Sequence, residues 1–392
     1  MKKIVAITSI RSDYDLMSPL YKLLHADPEI EFKLIVSGAH LSQTYGMSVE
    51  LIKRDGFDIL LSIETLIDSN SRQARLKTAS LFLQNSIDCI ASYHPDLILF
   101  AGDREDVIMG GLLGGFLEIP TIHFYGGDHV QDGHIDNPVR HATSKLATIH
   151  MVSLEEHKQR LIAMGESPAR IHNIGSIALD RFLQHQAKTK KQLLESFAAE
   201  SDFNNYAIVI FHPVAEEQTY CHRIFENILE GLKEKKIRAF VSTPNTDPGN
   251  KNILQVIEKY QHNPNFFFYK NLDRETFLSL YKNSLFIIGN SSSGVLESAS
   301  IPIAAINVGL RQRGRRANSN VIFCDTTRES ILSAIETVTT ENFTQTLSGI
   351  KNIYGDGNSA RKAFDIIKTT DFHKQIYKKE DPLKTNLETT DE

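Results

Sequence analysis

The residues best suited to chemistry stand in two short segments. In Phe100-Ala101-Gly102-Asp103-Arg104-Glu105-Asp106 an apolar run passes straight into glycine, an acid and a base. Further on, Tyr125-Gly126-Gly127-Asp128-His129 is followed by Asp132, His134, Asp136, Arg140 and His141. Clustered carboxylates raise one another's pKa, so one can hold a proton near neutrality while another acts as a base. For a lone Asp103 or Asp106, capping the next helix is the more ordinary job. Histidines mixed with acids also resemble metal-ligand chemistry. Their spacing matches no His-Glu-x-x-His pattern, so no metal is expected.

Other segments suit anions. Arg11, in Thr8-Ser9-Ile10-Arg11-Ser12-Asp13-Tyr14, stands where a strand should turn into a helix, a place that favours phosphate. A surface pairing with Asp13 or Asp15 is the plainer alternative. Glycine patterns for a dinucleotide or a P-loop are absent from that turn. Gly289-Asn290-Ser291-Ser292-Ser293-Gly294 offers hydroxyls and backbone N–H groups, and Glu297 follows where a ribose diol could donate to it. Gly309-Leu310-Arg311-Gln312-Arg313-Gly314-Arg315-Arg316 suits a diphosphate, or is a solvated loop. His212, in Phe211-His212-Pro213, leaves an apolar run directly; a lone histidine there is more often structural.

These segments need strands to present them. Apolar runs predict strands over 3–8, 31–36, 95–100, 121–124, 147–152 and 171–174. Helical spacing predicts helices over 16–24, 71–93 and 107–117. The second half repeats the plan, with strands over 206–211, 237–242, 265–269, 285–289 and 303–308. Its helices fall over 220–233, 251–262, 274–283, 295–299 and 359–370. Alternation of this kind predicts an α/β chain with parallel sheets. Domains are expected at 1–180 and 181–365, with the helix end and a loose tail over 366–392. Ligands of such sheets bind beyond the carboxyl ends of the strands, so two such domains would face a shared cleft.

Composition narrows the class. The chain has 392 residues, 41% hydrophobic and 23% charged, which suits two globular domains. A net charge of -5 argues against a general nucleic-acid binder. Cys89, Cys221 and Cys324 are sparse and unpaired in spacing, the pattern of reduced thiols in a cytoplasmic protein. The N-terminal apolar run is too short for a signal segment, and no window approaches the roughly 18 residues of a membrane span.

Taken in order, these segments resemble the UDP-N-acetylglucosamine 2-epimerase family. The motifs are Arg11–Tyr14, Ser37-Gly38-Ala39-His40-Leu41, Gly102-Asp103-Arg104, Gly126-Gly127-Asp128, and Ile135-Asp136 with Arg140-His141. Then come Phe211-His212-Pro213, Pro244-Asn245-Thr246-Asp247, Gly289–Gly294 with Glu297, and Arg311-Gln312-Arg313-Gly314-Arg315. The Phe-His-Pro and Arg-Gln-x-Gly-Arg forms resemble the hydrolysing branch, which feeds synthesis of sialic acid-like sugars. The resemblance implies two Rossmann-like domains facing a cleft, as in the GT-B fold, and a homodimer or higher assembly.

It also implies a reaction: a carboxylate removes the C2 proton and UDP leaves from C1 in an anti elimination. Water then adds to the glycal, releasing a free N-acetylmannosamine-type sugar. The substrate would be UDP-N-acetylglucosamine or a 4-acetamido-6-deoxy derivative, with no metal or redox cofactor. Asp103, Asp128 and Asp136 match the family's acidic positions. Arg11, His40, His212, Asn245, Ser291, Ser292, Glu297 and Arg311 match substrate or UDP positions. Arg104, Arg140, His141, Ser293 and Gly294 complete these motifs as substrate-binding candidates. Asp132 and His212 join the catalytic candidates.

The chain departs from the family at Asp128, where Glu is usual, and in the longer stretch carrying His129, Asp132 and His134. It departs again at Ile10 and Asp15. These changes predict an altered sugar pocket. The alternatives are a UDP-sugar transferase of the same architecture and a non-catalytic UDP-sugar binding protein.

Overall fold

The computed structural model describes residues 1–69, 71–130, 135–184, 187–197, 203, 205–244, 249–270 and 272–385. Thirteen strands are found among them: β1 (Lys2–Thr8), β2 (Ile30–Ser37), β3 (Ile59–Ile63), β4 (Leu97–Ala101), β5 (Thr121–Phe124), β6 (Ile149–Val152), β7 (Ile171–Asn173), β8 (Tyr206–Ile210), β9 (Arg238–Ser242), β10 (Phe266–Tyr269), β11 (Phe286–Gly289), β12 (Ala304–Val308) and β13 (Val321–Cys324). The helices that matter below are α1 (Arg11–Ala26), α2 (Arg72–Tyr93), α3 (Glu105–Phe116), α4 (Asp136–Leu146), α5 (Cys221–Glu234), α6 (Ser292–Leu296), α7 (Arg328–Val338) and α8 (Ser359–Thr369).

The chain divides into two compact units. The first is built mainly from the chain up to Arg181 and from Tyr354 onward, the second mainly from Phe182–Ile353. The first holds a seven-stranded sheet in the order β3-β2-β1-β4-β5-β6-β7, and the second a six-stranded sheet in the order β10-β9-β8-β11-β12-β13. Every pairing is parallel. Each is the doubly wound α/β class expected from the sequence. Strand order reverses beside β1 and beside β8, where such sheets bind ligands. Ile4, Val5, Ala6 and Leu97–Phe100 are essentially fully buried, because helices cover both faces of a parallel sheet.

Several elements differ from the sequence-based expectation. Apolar spacing predicts neither α4 nor α7, nor β3 and β13. Helix α4 is largely polar (Asp-Asn-Pro-Val-Arg-His-Ala-Thr-Ser-Lys-Leu) and gives little apolar spacing to read. Residues 359–365 are expected in the second domain, but α8 packs against α1 in the first unit, burying Ala360, Ala363, Phe364 and Ile367 in its core. Nor is the tail from Lys378 loose throughout. Arg170 Nε and Nη2 grip both carboxylate oxygens of Glu380 at 2.8 and 3.1 Å, and Lys378 Nζ donates to Glu166 Oε2 at 2.6 Å. Charged residues with the composition of a solvated end here find buried partners. No helix of the described residues is long and apolar enough to cross a membrane.

Candidate active site

Two acids of the first unit, Asp103 and Asp128, share one arginine. Strand β4 is followed by Gly102 at φ +97°, and β5 by Tyr125 at φ +64° and Gly127 at φ +73°. A positive φ at the non-glycine Tyr125 is a strained turn in the middle of the acidic segment. From α4, the buried Arg140 donates through Nη2 to Asp103 Oδ2 and through Nη1 to the Tyr125 carbonyl at 2.8 Å. The same Nη1 lies 3.9 Å from Asp128 Oδ2. Arg140 therefore fixes two carboxylates from adjacent strand ends while both stay partly accessible, at 26% and 17%.

Asp128 has further partners. His157 Nε2 lies 3.4 Å from Oδ1, and the His129 N–H donates to Oδ1 at 2.8 Å. The His129 and His141 rings stack with centroids 5.6 Å apart, and their facing nitrogens are 3.3 Å apart. Burial pushes the His141 imidazole below its ordinary value, with His129, Arg140 and Arg160 adding to the effect. Asp136, at the start of α4, accepts from Arg75 Nη2 at 3.3 Å, and Arg75 Nε donates to Glu105 at 2.7 Å. Arg75, on α2, thus ties α3 to α4. Asp132 lies outside the described residues, so its relation to Asp128 is not seen.

Neither Asp103 nor Asp106 caps α3. Arg104, an exposed residue, occupies the N-cap position with no side-chain capping bond. Asp106 is buried, hydrogen-bonded by Ser9 and close to Asp13; burial chiefly pushes its carboxyl up to about 7. At α1, Asp13 accepts from the Ser9 and Ile10 N–H groups at 3.1 and 3.3 Å and from Thr8 Oγ1 at 2.5 Å. A carboxylate of the chain itself thus occupies the N–H groups expected to face a phosphate. Arg11 Nε lies 3.4 Å from Asp15 Oδ2, the plainer surface pairing. His40, expected to touch substrate, is wholly buried. Its ring nitrogens meet Thr8 Oγ1 at 2.9 Å and Ser48 Oγ at 2.7 Å, which makes it a support for Thr8 and Asp13.

His123 escaped the sequence reading, though a histidine inside a strand buried on both faces was a visible signal. Its Nε2 donates to the Gly102 carbonyl at 2.8 Å, and Ser144 Oγ meets Nδ1 at 3.0 Å. Burial pushes its imidazole down to about 3, so the ring is neutral. Below its ordinary value of 6.5 the unfolded chain takes up a proton that the fold refuses until about pH 3, so stability falls as pH falls through that window. Between pH 7 and 5 the wild type should lose roughly 2 kcal/mol more unfolding free energy than His123→Gln. Urea titrations at the two pH values measure this; equal losses would contradict it.

In the second unit, Asn290 organises three strand ends. It accepts from the His212 N–H at 2.8 Å and donates to the His212 carbonyl at 2.7 Å, joining the ends of β8 and β11. Its own carbonyl accepts from Arg311 Nη1 at 3.0 Å and Gln312 Nε2 at 3.1 Å, bringing in the loop after β12. Gly289 is required at φ +141°, since a Cβ there would lie 2.0 Å from the Ile210 carbonyl oxygen. Ser291 caps α6 by accepting from the Ser293 N–H. Ser293 Oγ donates to the buried Glu297, and Gly294 is buried. Burial, with Arg311 adding, pushes the His212 imidazole down to about 3, so His212 is neutral and suited to hydrogen bonding rather than to supplying a charge. Asn245 lies outside the described residues. Asn290, Gln312 and Glu217, which accepts from the Leu310 N–H at 3.1 Å, were not singled out from the sequence. Among the described residues no group of three or more His, Cys, Asp or Glu could hold a metal.

A family model for UDP-N-acetylglucosamine 2-epimerase matches residues 22–368. The chain belongs to the UDP-N-acetylglucosamine 2-epimerase family. It is 32% identical to the UDP-N,N'-diacetylbacillosamine 2-epimerase (hydrolyzing) of Legionella pneumophila, over 97% of this chain and 99% of that one. It is 31% identical to a UDP-N-acetylglucosamine 2-epimerase of Neisseria meningitidis serogroup B, over 86% of this chain and 87% of that one. The fold is shared with the Methanocaldococcus jannaschii UDP-GlcNAc 2-epimerase solved with UDP-GlcNAc and UDP. The TM-score is 0.79 at 18% identity, covering 94% of this chain and 100% of that one.

Proposed function

We propose that the chain is a hydrolysing 2-epimerase of a UDP-linked N-acetylamino sugar. The observation that carries this is Arg140 holding Asp103 and Asp128 at the ends of β4 and β5. Abstraction of a weakly acidic C2 proton needs a positioned base and a stabilised leaving group. In this reading a first-unit carboxylate, Asp103, takes the C2 proton. The electrons of the C–H bond form the C1=C2 double bond, and the C1–O bond breaks to release UDP. Water then adds across the double bond: its oxygen bonds to C1, and a proton delivered through Asp128 or Asp136 goes to the opposite face of C2. The water's own proton replaces the delivered one, and Asp103 releases the abstracted proton to solvent. In the second unit, His212, Ser291–Gly294 and Arg311 hold the diphosphate, and Glu297 accepts from the ribose.

The favoured sugar is a 4-acetamido-6-deoxy derivative. The Legionella relative is named for such a substrate. Asp128, one methylene shorter than the family's usual Glu, and the stacked His129–His141 pair support a pocket reshaped for it. The test compares UDP release from UDP-N-acetylglucosamine and from UDP-2,4-diacetamido-2,4,6-trideoxyglucose, without any acceptor. Faster release from the second supports the reading. Release only when an acceptor hydroxyl is added would mean transfer, and no release from either would overturn it.

A further inference from the structure

The tail packs on the first unit at Arg170, which precedes β7, and at the C-terminal end of α4. Arg170 anchors it: besides gripping Glu380, it donates through Nη2 to the Tyr377 carbonyl at 3.0 Å and through Nη1 to the Thr148 carbonyl at 3.2 Å. Held there, Lys378 Nζ donates to the Ser144 and Lys145 carbonyls at 3.1 and 3.0 Å. Both lie in the last turn of α4, whose final carbonyls have no partner within the helix and whose dipole favours a cation.

The ammonium is balanced by Glu166, which is itself buried and also faces Lys145 Nζ at 2.6 Å and His150 Nε2 at 2.9 Å. Burial opposes a charged Glu166, but these partners hold it down to about 2, and the wholly buried His150 is pushed below its ordinary value. The resulting group is Glu166 and Glu380 against Lys378, Lys145 and Arg170.

Helix α4 is the element that carries Arg140 and Asp136. Ser144, whose carbonyl Lys378 caps, also meets His123 with its hydroxyl, and His123 holds the Gly102 carbonyl next to Asp103. A continuous path of hydrogen bonds thus runs from the tail, through the last turn of α4, to the residue before the candidate base. A second path runs along the helix itself, one turn back to Arg140.

We propose that the segment Gln375–Glu380 is a strap that sets the axial position of α4, and that Lys378 is a positioning residue for the Asp103–Arg140 pair. This rests on the acid–base reading above. Lys378 touches no reacting atom. Its effect is to fix where Arg140 stands, and so where the Asp103 carboxylate points.

The test uses the full chain with Lys378→Met, which keeps the stem and removes the ammonium, and Lys378→Arg. With the UDP-sugar substrate, Lys378→Met should lower kcat on the order of ten- to hundred-fold with KM unchanged, because the misplacement lies at the carboxylates and not at the diphosphate site. Lys378→Arg should recover most of the loss, and the milder Glu380→Gln should show the same split at smaller size. In parallel, the His123 Nε2–H is followed by NMR of histidine-labelled protein, assigned with His123→Gln. It should be protected from exchange in the wild type and exposed in Lys378→Met. Unchanged kcat together with an unchanged His123 signal in folded Lys378→Met would overturn the strap, as would a loss of stability with kcat per UDP-binding site intact. Should Lys378→Met not fold, unchanged kcat and signal in Glu380→Gln would overturn the strap equally. Should the wild type release no UDP, the functional reading fails while the NMR comparison still decides the strap.

Discussion

Asp103→Asn is expected to lower kcat for UDP release by about three orders of magnitude while UDP binding stays close to the wild-type value. The substitution keeps the shape and a hydrogen-bonding oxygen for Arg140, so the strand end should remain in place. What it removes is the only property a base needs, an oxygen free to take a proton. The residues proposed to hold the diphosphate, from His212 to Arg311, belong to the second unit and are untouched. Kinetics of UDP release beside calorimetric titration with UDP separates the two effects. Retained kcat would move the base to Asp128 or Asp136.

Arg140→Met is expected to damage both fold and chemistry. It leaves the Asp103 and Asp128 carboxylates without their shared cation, and the Tyr125 carbonyl without its donor. Removing one member of a buried charged set commonly costs about 3–5 kcal/mol. Both carboxylates are partly open to water, so the lower end, about 3 kcal/mol, is expected, seen as a fall in the urea midpoint. Arg140→Lys keeps a charge but cannot span Asp103 and Tyr125 from one planar fork. It should restore stability more than activity. Full activity in Arg140→Met would remove the arginine from any role in aligning the acids.

The inner strands were legible because both faces of each sheet are covered there, so Ile4–Ile7 or Leu97–Phe100 read as unbroken apolar runs, whereas the half-buried edge strands β3 and β13 do not. Their ends were legible for the same reason: apolar residues stop at Gly102, Tyr125, His212 and Gly289, and chemistry begins. Helix α4 was not legible: it is largely polar, and Arg140 and Ser144 find partners in and just after β5. Nor was the role of His40, which the motif suggested as a ligand and burial turned into a brace for Thr8. Asn290 was visible as a letter in a motif, but its part in joining three strand ends depends on β8, β11 and β12 lying side by side. The tail misled in the opposite way. Lys378 and Glu380 have the composition of a solvated end, and only the distant Glu166 and Arg170 make them part of the fold.

In the proposed reaction C2 loses its proton before the sugar is released. Reaction in deuterated water, followed by proton NMR of the free sugar, tests it most directly. One deuterium is expected at C2 in every product molecule, with one UDP formed per sugar. A free sugar that keeps its original hydrogen at C2 would show plain hydrolysis at C1 and contradict it.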